Sequence, residues 1–537
     1  MTVSQKTLAV ALAVAVLSPS TAHAATYYST KQPYFPAAEI SSYSQAPAGF
    51  TQIYTSSVDR HGSRGLSSFK YDDLAQQMLL AAKEQGQLTE LGERLIPQVE
   101  AMIKVNEELT GPGEPGYGNL TSFGRSELRG IGSRNAARNV EFLEKVATSD
   151  TDKVKFMSSG EDRAIESGQE FGRGVLTAVP GLSTKLVDGT DNNAPALETR
   201  KDLLYAHKDK KADSYAAYSE WKDGEVLEAK VQAAYDKPAS REAANGLLEK
   251  IFKPEFIEAI DTGKATFVGR NNPEKTVEGI VDAALQFYNL YIISPALEDE
   301  AGKPAEGWIF NEYMDDQDGP TFAYLLDVED YYQKGPAIEG QTVAYDNFAP
   351  LLDHMIAGVK ERAAGGDIAA EYRFGHAETI IPLAALLKLP GSEKGVPADQ
   401  VMDYSNSTWR GDKVAPMGAN IQWDAFQNEG GATLVRMLYN EAEVPFHAGC
   451  VPIEDGSMFY TIDELAACLP LGSTSDHSKA RLAPAADAEE PAGSSSGAVF
   501  GVVAGVLALI VAALGAGAVQ MGLVDLAQFN LPFNLPF

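Results

Sequence analysis

Three times along this 537-residue chain, a run of β-branched and aromatic residues passes through a glycine-containing turn into a helical pattern. Residues 50–58 (FTQIYTSSV) lead into Asp59-Arg60-His61-Gly62-Ser63-Arg64-Gly65, and residues 71–86 then set apolar side chains at helical spacing after an acidic start. Residues 154–157 (VKFM) end at Ser158-Ser159-Gly160, and residues 161–176 again read as helix. Residues 372–374 run into Gly375-His376-Ala377-Glu378, followed by TIIPLAALLKL. Such alternation predicts an α/β fold with an open mixed sheet flanked by helices, whose ligands sit beyond the carboxyl ends of the strands.

Further helix signals cover residues 91–109 and begin again at Thr121 after a polar cap. From 184 to 332 strand signals are few and long helical stretches dominate, so this segment is expected to be an inserted, mostly helical cap. The α/β domain is then residues 25–183 and 333–472, with residues 433–441 alternating as a strand near a sheet edge.

The two ends carry a different message. A lone Lys6, an apolar stretch over residues 8–17 and a close on Ala22-His23-Ala24 have the order of a secretory signal peptide, which assigns residues 1–24 to a leader. Residues 497–519 contain no charge and are long enough to cross a bilayer as a transmembrane helix. Residues 473–496, rich in Ala, Pro, Ser and acids, read as a solvated stalk, and residues 520–537 as a tail. The expected product is exported and held at the cell surface by its C-terminal helix. Gly497, Gly501 and Gly505 share one face of that span, the spacing of helices that self-associate.

The formal net charge is -30 and the pI about 4.6, with no basic tract to offset it, which excludes nucleic acid as a partner. An anion site on such a chain has to be a local concentration of arginines, screened from the rest over about 8 to 10 Å. Two cysteines occur, Cys450 and Cys468; outside the cytoplasm they are expected to form one disulfide worth roughly 3 kcal/mol. No C-x-x-C, H-x-x-x-H or carboxylate-rich loop offers a metal site.

Arg60-His61-Gly62-Ser63-Arg64 at a strand end has the chemistry of a phosphate site. Arginine forks match phosphate oxygens two at a time, and the charge around His61 keeps its imidazole neutral and nucleophilic. Arg163 stands at the start of the helix after the second strand. His376 and Glu378 stand at the end of the third, where a carboxylic acid can protonate a leaving oxygen and then activate water.

These residues resemble the histidine acid phosphatases of the histidine phosphatase superfamily. The His376-Ala377-Glu378 form is similar to multiple inositol polyphosphate phosphatases and bacterial phytases. So are LTSFGRSELRGIGSR (120–134), LLDVEDYYQKGPA (325–337), VAPMGANI (414–421) and MLYNEAEVPFHAGC (437–450). The resemblance covers roughly residues 50–470, and departs at Gly65-Leu66, where many relatives carry an aromatic residue. It implies no metal and no cofactor. By position, His61 would attack phosphorus to give a phosphohistidine, and Arg60, Arg64 and Arg163 would clamp the phosphoryl oxygens. His376 would donate to the same group, and Glu378 would be the proton donor.

The implied substrates are phytate and lower inositol phosphates, small molecules that need more cations than catalysis does. Lys70, near the motif, and the basic run with Arg200, Lys201, Lys208, Lys210 and Lys211 are the expected gripping rim. The competing expectations are a less selective acid phosphatase with the same machinery, and a surface protein that binds phosphorylated ligands without turnover.

Overall fold

The computed structural model describes residues 26–471 except residue 448. The expected leader, stalk, membrane span and tail, with Gly497, Gly501 and Gly505, lie outside the described residues. Ten strands occur among these: β1 Thr51–Arg60, β2 Lys153–Ser158, β3 Thr190–Asp191, β4 Ala194–Pro195, β5 Glu198–Thr199, β6 Ile368–Gly375, β7 Asn420–Gln427, β8 Thr433–Tyr439, β9 Ala442–Val444 and β10 Tyr460–Thr461.

Eight of them form one mixed sheet in the order β10-β8-β7-β1-β6-β2-β5, with β9 also on β8. Strands β1, β6, β2 and β5 pair in parallel, whereas β7 lies antiparallel to β1 and β8 antiparallel to β7. All four parallel strands therefore end at one edge of the sheet. β3 and β4 form a separate hairpin whose two turn residues, Asn192 and Asn193, both take positive φ, as a two-residue turn with the twist of its strands requires.

The sheet is covered on both faces, so β1 and β8 are buried along most of their length. The helices Ser122–Arg138 and Asp162–Ala178 pack together through glycines. A Cβ on Gly132 would lie 2.1 Å from the Phe171 carbonyl oxygen, and one on Gly174 2.2 Å from that of Arg129.

Within the segment expected as the cap, β5 hydrogen-bonds to β2 as an edge strand of the sheet. A two-residue strand carries too little pattern to be seen in sequence. The helices Tyr71–Glu84 and Glu90–Glu108, which follow β1, share one apolar core with Pro238–Ile251 and Gly279–Ile293, so the helical layer draws on both segments. Cys450 and Cys468 are disulfide-bonded, with Cα atoms 5.2 Å apart, and the bridge ties the turn after β9 to the helix Ile462–Cys468.

Candidate active site

Arg60 ends β1 at the middle of the sheet, and its chain neighbours are fixed by backbone bonds from three directions. The Arg60 N–H donates to Ala419 O at 2.8 Å, the His61 N–H to Gly375 O at 2.9 Å, and the Gly418 N–H to His61 O at 3.0 Å. The loop that follows lies against the start of the helix Ser122–Arg138. A Cβ on Gly62 would sit 2.5 Å from Gly124 O, so only glycine permits this approach. Glu127 secures the loop from beneath, accepting from Ser63 N at 2.7 Å and Ser63 Oγ at 3.1 Å.

His61 is almost fully buried. Its Nδ1 lies 2.9 Å from Gly62 O, and a carbonyl only accepts, so Nδ1 carries the proton and Nε2 keeps its lone pair. Burial, then the charges of Arg163 and Arg60, hold its pKa well below the usual histidine range. The ring is therefore neutral at neutral pH, with a lone pair on Nε2.

Around it converge the three expected arginines. Both Thr30 O and Ala415 O accept from Arg60 Nη1, and Arg64 Nη1 donates to Gly65 O at 2.7 Å. Burial first, and for Arg64 the repulsion of Arg163 and Arg60 next, pull Arg64 to about 9 and Arg60 to about 10. Both stay charged at neutral pH. Arg163 enters from the helix after β2, with Nη1 3.7 Å from Glu161 Oε2.

His376 follows β6, its ring centroid 5.4 Å from that of His61. Its Nδ1 lies 3.2 Å from Arg163 Nη2, and a guanidinium only donates, so Nε2 bears the proton and gives it to Ser159 Oγ at 2.8 Å. The ring also stacks on Tyr205 at 4.0 Å. Both nitrogens are thus engaged, and the expected bond from His376 to a phosphoryl oxygen requires the contact with Ser159 to be released. Thr379 Oγ1 accepts from the His376 N–H at 3.0 Å and donates to Leu204 O at 2.7 Å, which anchors the turn.

Glu378 stands two residues after His376, on the cavity wall. Burial raises its pKa, but Lys334, with Nζ 3.8 Å from Glu378 Oε1, is foremost among the groups that bring it well below the ordinary carboxylate range. Lys334 also bonds Asp330 Oδ1 at 2.5 Å. Without ligand, the expected proton donor is a carboxylate.

These groups open into a cavity continuous with solvent. Arg60, Arg64 and Arg163 form its floor, and Lys31, Lys208, Lys222 and Lys334 stand around them. Seven cations therefore face three carboxylates, Glu329, Asp330 and Glu378. In a chain of net charge -30, this is the local reversal of sign that an anion site demands.

The rim differs from expectation. Of the six cations assigned to it, Lys208 alone lines the cavity. Lys70 is buried beside Asp282 with its ammonium over the Tyr71 ring, and Arg200 is buried on Asp202 at 2.7 Å. Lys201 is half-buried away from the cavity, and Lys210 and Lys211 are exposed beyond the turn Ala206–Lys208. Sequence reasoning missed Lys31, Lys222, Lys334 and His207. Lys334 at least lies in the quoted stretch 325–337, and Glu127 in 120–134.

The chain is 34% identical to the multiple inositol polyphosphate phosphatase of Bifidobacterium longum. The structure of that protein in complex with inositol hexasulfate matches with a TM-score of 0.76 over 83% of this chain and 97% of that one. Its complex with phosphate matches with a TM-score of 0.77 over 84% and 98%. The phytase from D. castellii, 14% identical over 82% of this chain and 83% of its own, shares the fold with a TM-score of 0.52. The model of the histidine phosphatase superfamily (branch 2) matches residues 56–440, a span that takes in every floor residue, and the chain belongs to that superfamily as a phosphatase.

Proposed function

We propose that the chain hydrolyses inositol polyphosphates, phytate among them, through a phosphohistidine on His61. The observation that carries this reading is the neutral Nε2 of His61 amid three buried arginines, beneath a cavity whose remaining wall is also cationic. Likeness to a phosphatase solved with inositol hexasulfate supports the same substrate class.

His61 Nε2 attacks phosphorus as the ester P–O bond breaks, and Glu378 gives its proton to the departing oxygen. Water then attacks the phosphohistidine. Glu378 takes a proton from that water, and the P–N electron pair returns to Nε2 with release of inorganic phosphate. Arg60, Arg64 and Arg163 hold the equatorial oxygens throughout, supplying charge where it grows in the transition state. Because Glu378 starts ionised, it has to be loaded. The bound phosphate's charge opposes that of Lys334, and a phosphate monoester with a second pKa of about 6 brings a proton of its own.

Anion-exchange chromatography of phytate digests, alongside 4-nitrophenyl phosphate hydrolysis, tests the reading. Stepwise loss of phosphate from phytate is expected, with an acid-labile phosphoenzyme on rapid quench. Release from the nitrophenyl ester alone would leave a less selective phosphatase, and no release from either would leave a binding protein.

A further inference from the structure

A short N-terminal strap lines the cavity about twenty residues ahead of β1. The turn Ser29–Lys31 is pinned to the helix Gly319–Lys334: Ser29 Oγ donates to Asp327 Oδ1 at 2.6 Å and Thr30 Oγ1 to Asp330 Oδ2 at 3.2 Å. Beyond it, Gln32 O accepts from Met417 N at 2.9 Å, and Glu127 Oε1 accepts from Tyr34 N at 2.8 Å. Ser29 is buried with a φ of 47°, a left-handed conformation that a residue bearing a side chain holds only when its surroundings fix it. The strap is thus a built part of the site, and the Thr30 carbonyl on it receives Arg60.

Lys31 lines the cavity from this strap. The charged groups that face it are Arg60, Arg64 and Lys334, all cations, and Asp330, which is already bonded to Lys334 and Thr30. Its ammonium donates to Thr30 Oγ1 at 3.3 Å, a long bond to a neutral oxygen. Burial, then Arg60 and Arg64, bring its pKa to about 7, the condition of a cation whose counter-charge has yet to arrive. Three guanidinium forks already serve the oxygens of one phosphoryl group. Because the neighbouring Thr30 carbonyl grips Arg60, Lys31 stands beside that group's place rather than under it.

We propose that Lys31 is a specificity residue that binds a second phosphate, on a ring carbon next to the one whose phosphate is held over His61. The proposal rests on the inositol polyphosphate reading. It makes the site selective for esters with neighbouring phosphates, a choice the floor by itself cannot make.

The test is the specificity constant for phytate and for 4-nitrophenyl phosphate, measured with the wild-type enzyme, Lys31→Met and Lys31→Arg. Lys31→Met keeps the apolar stem without the charge. The ratio of the two constants is expected to fall about tenfold to a hundredfold, the size of one hydrogen bond between charged partners, mainly through a higher KM for phytate. Lys31→Arg should keep most of the ratio. An unchanged ratio in Lys31→Met overturns the proposal, and so does an equal loss in Lys31→Arg, which would mean that the strap had merely been disturbed. If wild-type enzyme cleaves the nitrophenyl ester and not phytate, the functional reading fails and the proposal with it; if phytate is cleaved and the ratio holds, the proposal alone fails.

Discussion

The floor and the rim of the cavity are both cationic, yet they hold their charge in different ways. Floor arginines leave the ends of β1 and the start of the helix after β2, and backbone carbonyls grip the guanidinium groups of Arg60 and Arg64 before any ligand arrives. Rim lysines stand on a strap, a short turn and two helices outside the sheet, on longer and more flexible stems. The transferred phosphoryl group is the same in every substrate, so fixed charge suits it. On the proposed inositol polyphosphates the remaining phosphates would change position and number as hydrolysis proceeds, and point charges on flexible stems would suit those.

In the proposed reaction Glu378 stands apart from floor and rim, as the acid and not as part of the grip. Glu378→Gln is expected to lower kcat for phytate by about 10² to 10⁴, with a far smaller loss for 4-nitrophenyl phosphate, whose leaving group needs no proton. Equal losses across a leaving-group series would remove Glu378 as the acid.

Lys334 joins the two regions, since it lines the rim and also faces Glu378. A cation beside a carboxylate lowers its pKa, so Lys334→Met should raise that of Glu378 and let it keep its proton to higher pH. The alkaline limb of the kcat profile is expected to move upward, while kcat/KM for phytate drops by about tenfold. An alkaline limb that stays in place would show that Lys334 serves binding alone.

The smallest effect is expected where the basic run leaves the cavity. Lys210→Ala and Lys211→Ala should change kcat/KM for either substrate by less than about twofold, because exposed charges outside the site act through salt-screened water. Lys208→Ala, on the cavity wall, should cost phytate several-fold.

The same division explains what the sequence makes legible. His61 is flanked by Arg60 and Arg64 in one loop, and Arg163, His376 and Glu378 each follow a strand, so alternation of strand and helix suffices to bring them together. The rim has no such local mark. Lys31, Lys222 and Lys334 come from three unrelated segments, and their convergence depends on how the helices stack over the sheet. Density of charge misled where geometry decided: the run 200–211 is basic along its length, but Arg200 is buried on Asp202, and of the run's lysines only Lys208, at the end of the turn Ala206–Lys208, reaches the cavity. The second layer was equally hidden, because Glu127 on a helix reads as a solvated acid until Ser63 and Tyr34 are seen to bond it.

The grip on Arg60 also sets an order of assembly. Its guanidinium bonds Thr30, 30 residues earlier, and Ala415, 355 residues later. Contacts of such long range form late, after the loops between them have closed. A chain still emerging, or one cut before residue 415, carries the His61 loop complete in sequence but has no second carbonyl to steady its arginine. The grip on Arg60 is therefore complete only in a chain that carries both Thr30 and Ala415.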